Sequence, residues 1–189
     1  MLNWDAVIPE PLPVPLRTLA DGLTVARAIA GLPLILALDA GWTMIAWWVL
    51  LLAGLSDAAD GWLARRAGGG STWGARLDPL TDKVLIAAPL LWLASTAALP
   101  LWAVWLLLAR ELLISGWRAQ ADDGGPASIG GKAKTILQFL SLLLLLWPSP
   151  WMGHSWLVAM GWWLFWPSLL LALWSAFAYL RPRSMSHLS

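Results

Sequence analysis

Residues 57–82 read DAADGWLARRAGGGSTWGARLDPLTD, four carboxylates on either side of a glycine-rich stretch, in a chain otherwise composed like a membrane protein. On a helix turning about 100° per residue, Asp57, Asp60, Gly61 and Ala64 fall within about 100° of one another. Asp78 and Asp82 stand four residues apart and share a face of the following helix. The run Gly68-Gly69-Gly70-Ser71 between them reads as a turn. The stretch therefore predicts an antiparallel helical hairpin whose four acids converge at one end.

Outward from this hairpin, the 189 residues are 59% hydrophobic and only 12% charged, the balance of a membrane protein. A helix needs about 20 residues to cross a bilayer, and apolar runs of about that length lie at 23–40, 42–66, 77–98, 101–120, 133–148 and 155–180. The fold class expected is an all-α integral membrane protein of six transmembrane helices. Turn chemistry separates the runs: Asp39-Ala40-Gly41, the triple glycine, Pro100, the polar DDGGPASIGG from Asp122 and PSPWMGH from Pro148. The proline-rich residues 1–20 lack the apolar stretch of a secretory signal and are expected to form an interfacial arm. Residues 21–182 then make up the membrane domain and 183–189 a tail.

All twelve Lys and Arg residues fall near the termini or around the loops after the second and fourth runs, and the remaining loops have none. Positively charged loops stay in the cytoplasm, so both termini and the acid hairpin are expected on that side of the membrane. Trp42, Trp102, Trp151 and Trp156 sit near the opposite loops, as an aromatic belt would. A net charge of +1 gives no global field for nucleic acid. The absence of cysteine excludes disulfides and thiolate chemistry. His154 and His187 read as surface residues.

One unpaired Asp in hydrocarbon costs roughly 2.5–3.5 kcal/mol on the insertion scale, and four together repel one another. Divalent ions bound by Asp57, Asp60, Asp78 and Asp82 offset both effects. Oxygen ligands with no Cys or nearby His favour Mg²⁺ or Mn²⁺, one or two ions, with two expected. Gly61, Ala64 and Gly74 open room beside the ions for a bulky phosphorylated ligand. Close helix packing is an alternative use for Gly61 and Ala64. Arg65 is placed to neutralise phosphate or to pair with an Asp.

These residues fill the pattern D-x2-D-G-x2-A-R-x8-G-x3-D-x3-D with Asp57, Asp60, Gly61, Ala64, Arg65, Gly74, Asp78 and Asp82. The chain thereby resembles the CDP-alcohol phosphotransferases. The resemblance implies a six-helix membrane enzyme, usually a homodimer, that transfers a phosphatidyl or related group from a CDP-linked donor to an alcohol and releases CMP. It implies that Asp57, Asp60 and Asp78 hold metal against the donor pyrophosphate and that Asp82 is the catalytic base. Gly61, Ala64, Arg65, Gly74 and Thr24 are the expected donor contacts. Many relatives carry Pro-Asn before L-T-x2-R. This chain keeps Leu23, Thr24 and Arg27 but has Asp21-Gly22 in front of them.

A second polar island runs from Ala109 to Gln138. On one helix Glu111, Ser115 and Arg118 lie within about 60° of one another, with Arg110 on the flank. On the next helix Lys134 and Gln138 share a face, and Lys132 lies close by. Arg110, Arg118, Lys132 and Lys134 are candidates to hold an anionic acceptor, with Glu111, Ser115, Gln138 and Arg27 in support. Snorkelling alone also accounts for Lys132 or Arg118. The island is similar to the A-R-E...S-x-x-R and G-K-x-K-T-x2-Q segments of bacterial phosphatidylglycerophosphate synthases. That likeness implies CDP-diacylglycerol as donor and sn-glycerol 3-phosphate as acceptor, in a setting of membrane lipids. The alternatives are the same chemistry with another acceptor, as in a cardiolipin synthase or a phosphatidylinositol-phosphate synthase, and a divalent-cation transporter.

Overall fold

The computed structural model describes the backbone of residues 14–66, 74–120 and 129–180, with side chains at 22, 26–27, 29–56, 81, 83–116 and 133–177. Among the described residues there are six α-helices and no strand: α1 Val14–Asp39, α2 Thr43–Arg66, α3 Gly74–Ser95, α4 Leu101–Gln120, α5 Ile129–Leu145 and α6 His154–Leu180. Each coincides with one of the six apolar runs. α1 starts at Val14, before the boundary expected at residue 21, because Pro15 sits in the first turn, where no intrahelical N–H donor is needed.

The chain divides into two compact units, Met1–Pro89 and Leu90–Ser189. In the first, α1 ends in a paired-hydrogen-bond cap. The Trp42 N–H donates to the Ala37 carbonyl at 2.7 Å and the Gly41 N–H to that of Leu38 at 3.0 Å. Gly41 takes φ 76°, the left-handed conformation that this cap requires and that glycine adopts without strain. The turn folds α2 back along α1, burying Leu34, Leu38, Ala46, Trp47 and Leu50. A Cβ on Gly31 would lie 3.3 Å from that of Ala88, so α1 and α3 also run close together.

In the second unit α6 packs along α5 and against α4, with Leu107, Leu142, Leu146, Phe165, Leu169 and Ala172 buried between them. The α5–α6 contact is backbone to backbone: a Cβ on Gly161 would come 2.7 Å from the Leu145 nitrogen. The Ser141 hydroxyl donates to the Gly161 carbonyl at 2.7 Å. Such close approach across a small residue is how helices associate in lipid, where packing and hydrogen bonds replace the hydrophobic drive.

Residues His154–Phe177 of α6 are long and apolar enough to cross a membrane, and only 28% of an 18-residue apolar stretch within them is buried. The core helix of a soluble protein is mostly covered. Here Trp163, Leu170 and Trp174 are each at least 66% exposed, a large apolar surface of the kind that marks membrane association.

Candidate active site

The acid motif lies on helical backbone throughout its described part. α2 continues without a break through Asp57, Asp60, Gly61, Ala64 and Arg65 to Arg66, and α3 begins at Gly74, with Asp78 and Asp82 in its next two turns. The helical register assumed for each pair is thus present. The turn at 67–73 and the side chains of Thr24, Asp57, Asp60, Ala64, Arg65, Asp78 and Asp82 lie outside the described residues, and with them the expected convergence of the acids. Among the described side chains of this unit, the buried polar ones are Arg27, 3% exposed, and Thr81, 6% exposed and next to Asp82 in the chain. Arg27 is among the supporting candidates named from the sequence; Thr81 is not.

The donor set fits a hard divalent cation by its chemistry, since four carboxylates and no softer ligand are spaced on two helices at intervals of three and four residues.

The second polar island forms a connected network within its unit. α4 carries Arg110, Glu111 and Ser115, and α5 carries Lys134 and Gln138. Glu111 Oε1 accepts from Arg110 Nη1 at 3.0 Å and also from Lys134 Nζ. The Arg110, Glu111 and Lys134 side chains are only 9%, 15% and 7% exposed, so the two cations share one carboxylate largely out of water. The desolvation cost of such a cluster is offset only when its hydrogen bonds are well made.

Arg110 meets that condition through α6. Its Nε donates to the Ala172 carbonyl at 2.8 Å and its Nη2 to the Ser175 hydroxyl. Ser175 in turn donates to the same carbonyl at 3.3 Å. The Ser115 hydroxyl donates back to the Glu111 carbonyl. Lys134 and Gln138, one turn apart, are both buried, on the shared face that their spacing predicts. The side chains of Arg118 and Lys132 lie outside the described residues.

Ser175 and the Ala172 carbonyl were missed by the sequence reading. The available signal was the placing of small residues on α6, where Gly161, Ser168, Ala172 and Ser175 follow at intervals of seven, four and three residues, all of them buried.

The family model described as CDP-alcohol phosphatidyltransferase matches residues 17–174, a span that contains both polar islands. The chain is similar to the probable phosphatidylglycerophosphate synthase of Mycobacterium tuberculosis, at 36% identity over 141 residues, which cover 70% of this chain and 68% of that protein. It is 33% identical over 147 residues to the CDP-diacylglycerol--glycerol-3-phosphate 3-phosphatidyltransferase of Salmonella choleraesuis, covering 72% of this chain and 77% of the relative. The protein of that name in Escherichia coli K12 is 34% identical over 142 residues, or 70% and 74% of the two chains.

Proposed function

The chain belongs to the CDP-alcohol phosphatidyltransferase family, and from that premise we propose that it transfers the phosphatidyl group of CDP-diacylglycerol to sn-glycerol 3-phosphate. The products are phosphatidylglycerophosphate and CMP. The observation that carries this is the likeness to relatives of that named activity over more than two thirds of either chain. The Arg110–Glu111–Lys134 network supports the acceptor, because a sugar phosphate needs cationic donors held in place.

In the reaction a hydroxyl oxygen of glycerol 3-phosphate bonds to the phosphatidyl phosphorus as the phosphoanhydride P–O bond breaks. The bonding electrons leave with CMP. Asp82 takes the hydroxyl proton, a task for which a carboxylate within hydrogen-bond reach suffices. Asp57, Asp60 and Asp78 would hold two divalent ions, Mg²⁺ or Mn²⁺, with Asp82 completing the set. Bound there, the ions supply charge neutralisation for the pyrophosphate and the departing CMP. Gly61, Ala64 and Gly74 leave space for the cytidine nucleotide, while Arg65 and Thr24 contact it. Arg110, Arg118, Lys132 and Lys134 hold the acceptor phosphate.

The protein is placed in the bacterial inner membrane as a six-span homodimer with its termini and site in the cytoplasm. The clustering of all Lys and Arg near the termini and two loops supports this orientation.

The test is to supply purified protein with CDP-diacylglycerol and Mg²⁺, with glycerol 3-phosphate, phosphatidylglycerol and inositol phosphate offered separately. Lipid-soluble product and stoichiometric CMP are expected with glycerol 3-phosphate. Consumption of another alcohol in its place overturns the acceptor, and nucleotide-independent metal uptake into proteoliposomes favours a transporter.

A further inference from the structure

Arg110 is a candidate ligand for the acceptor phosphate, yet three of its N–H groups are already engaged by protein. An arginine side chain offers five. Nε, Nη1 and Nη2 each donate once, to the Ala172 carbonyl, Glu111 and Ser175 respectively. Among the described residues nothing accepts from the second N–H of either terminal nitrogen, on a side chain 91% buried (9% exposed). Two of the three engaged positions are fixed by α6 through residues more than 60 positions away in the chain.

We propose that Ser175 is a positioning residue for the acceptor: its hydroxyl and the Ala172 carbonyl fix the plane of the Arg110 guanidinium so that the two remaining N–H groups grip a phosphate monoester. This rests on the reading of Arg110 as an acceptor-phosphate ligand. Glu111 alone does not define that plane, because a single contact at Nη1 leaves the guanidinium free to rotate about it. The Nε and Nη2 contacts remove this freedom. A pre-oriented guanidinium loses less entropy when it forks two oxygens, so the effect belongs to acceptor binding rather than to the chemical step.

Ser168 supplies an internal control. It is as buried as Ser175 and lies two turns earlier on the same seam of α6, but its hydroxyl donates to the Phe165 carbonyl at 2.7 Å within its own helix.

The test compares the full-length enzyme with Ser175→Ala, Ser175→Thr and Ser168→Ala, measuring kcat and both substrate KM values. Ser175→Ala is expected to raise the KM for glycerol 3-phosphate about tenfold, the scale of one hydrogen bond to a charged group, with kcat and the CDP-diacylglycerol KM near parental. Ser175→Thr keeps the hydroxyl and restores the acceptor KM, and Ser168→Ala leaves it unchanged. Should Ser175→Ala fail to fold, Ser175→Cys, with similar volume and a weak acceptor, is expected to show the same rise. An unchanged acceptor KM, an equal rise in both KM values, or an equal effect of Ser168→Ala overturns the positioning role. If the parent itself consumes no glycerol 3-phosphate, the underlying acceptor assignment fails first and is recognised as such.

Discussion

Glu111 ties the buried cluster together, because one carboxylate oxygen serves both Arg110 and Lys134. Glu111→Gln keeps the shape but leaves two buried cations without their shared counter-charge. Breaking a buried pair in this way costs about 3–5 kcal/mol. Equilibrium unfolding in mixed detergent is expected to show a loss of that order, and a loss below about 1 kcal/mol would place the cluster in water, where ion pairs contribute little. The network was half legible in the sequence. The spacing of Lys134 and Gln138 gave their common face, and the polar residues of α4 stood out against an apolar background. The α6 partners did not stand out, because Ser175 lies 65 residues from Arg110 in a helix that otherwise reads as apolar.

At the scale of the helices, the apolar runs and their Gly and Pro breaks were enough to locate all six, and among the described breaks some close a helix end in a recognisable way. The Gly41 cap is the clearest case. Gly41→Ala should lower stability by about 1–2 kcal/mol, the cost of a left-handed L-residue. Ala97 occupies φ 58° after α3, so Ala97→Gly should raise stability by about 1 kcal/mol on the same ground. Thermal unfolding of the two variants in one detergent checks both signs together. Gly161 was not legible as a contact, because helical spacing does not reveal which neighbour comes close. A side chain there meets the Leu145 backbone nitrogen, which cannot swing away as a side-chain tip can. Gly161→Val is therefore expected to cost about 1–3 kcal/mol by forcing α5 and α6 apart.

For the whole molecule, the membrane topology and the acid site are two parts of one proposal. A chain without cysteine suits accessibility labelling. Ser71→Cys should react with an impermeant maleimide from the cytoplasmic face and Ser149→Cys from the opposite face, and reversal of the two would invert the orientation. The acid motif was legible because eight residue identities at fixed spacing are hard to meet by chance. Its convergence was not, because that depends on side-chain directions at the α2 and α3 ends, which spacing alone leaves open. The division of labour among the acids predicts that Asp82→Asn lowers kcat by roughly 10²–10⁴, the usual contribution of a general base, with donor affinity kept. The most direct measurement is calorimetric titration of the detergent-solubilised protein with CDP-diacylglycerol, with and without Mg²⁺, for the parent, Asp57→Asn and Asp82→Asn. Metal-dependent donor binding that survives in Asp82→Asn and is lost in Asp57→Asn is the predicted result. Binding that ignores the metal, or falls equally in both variants, would contradict the account.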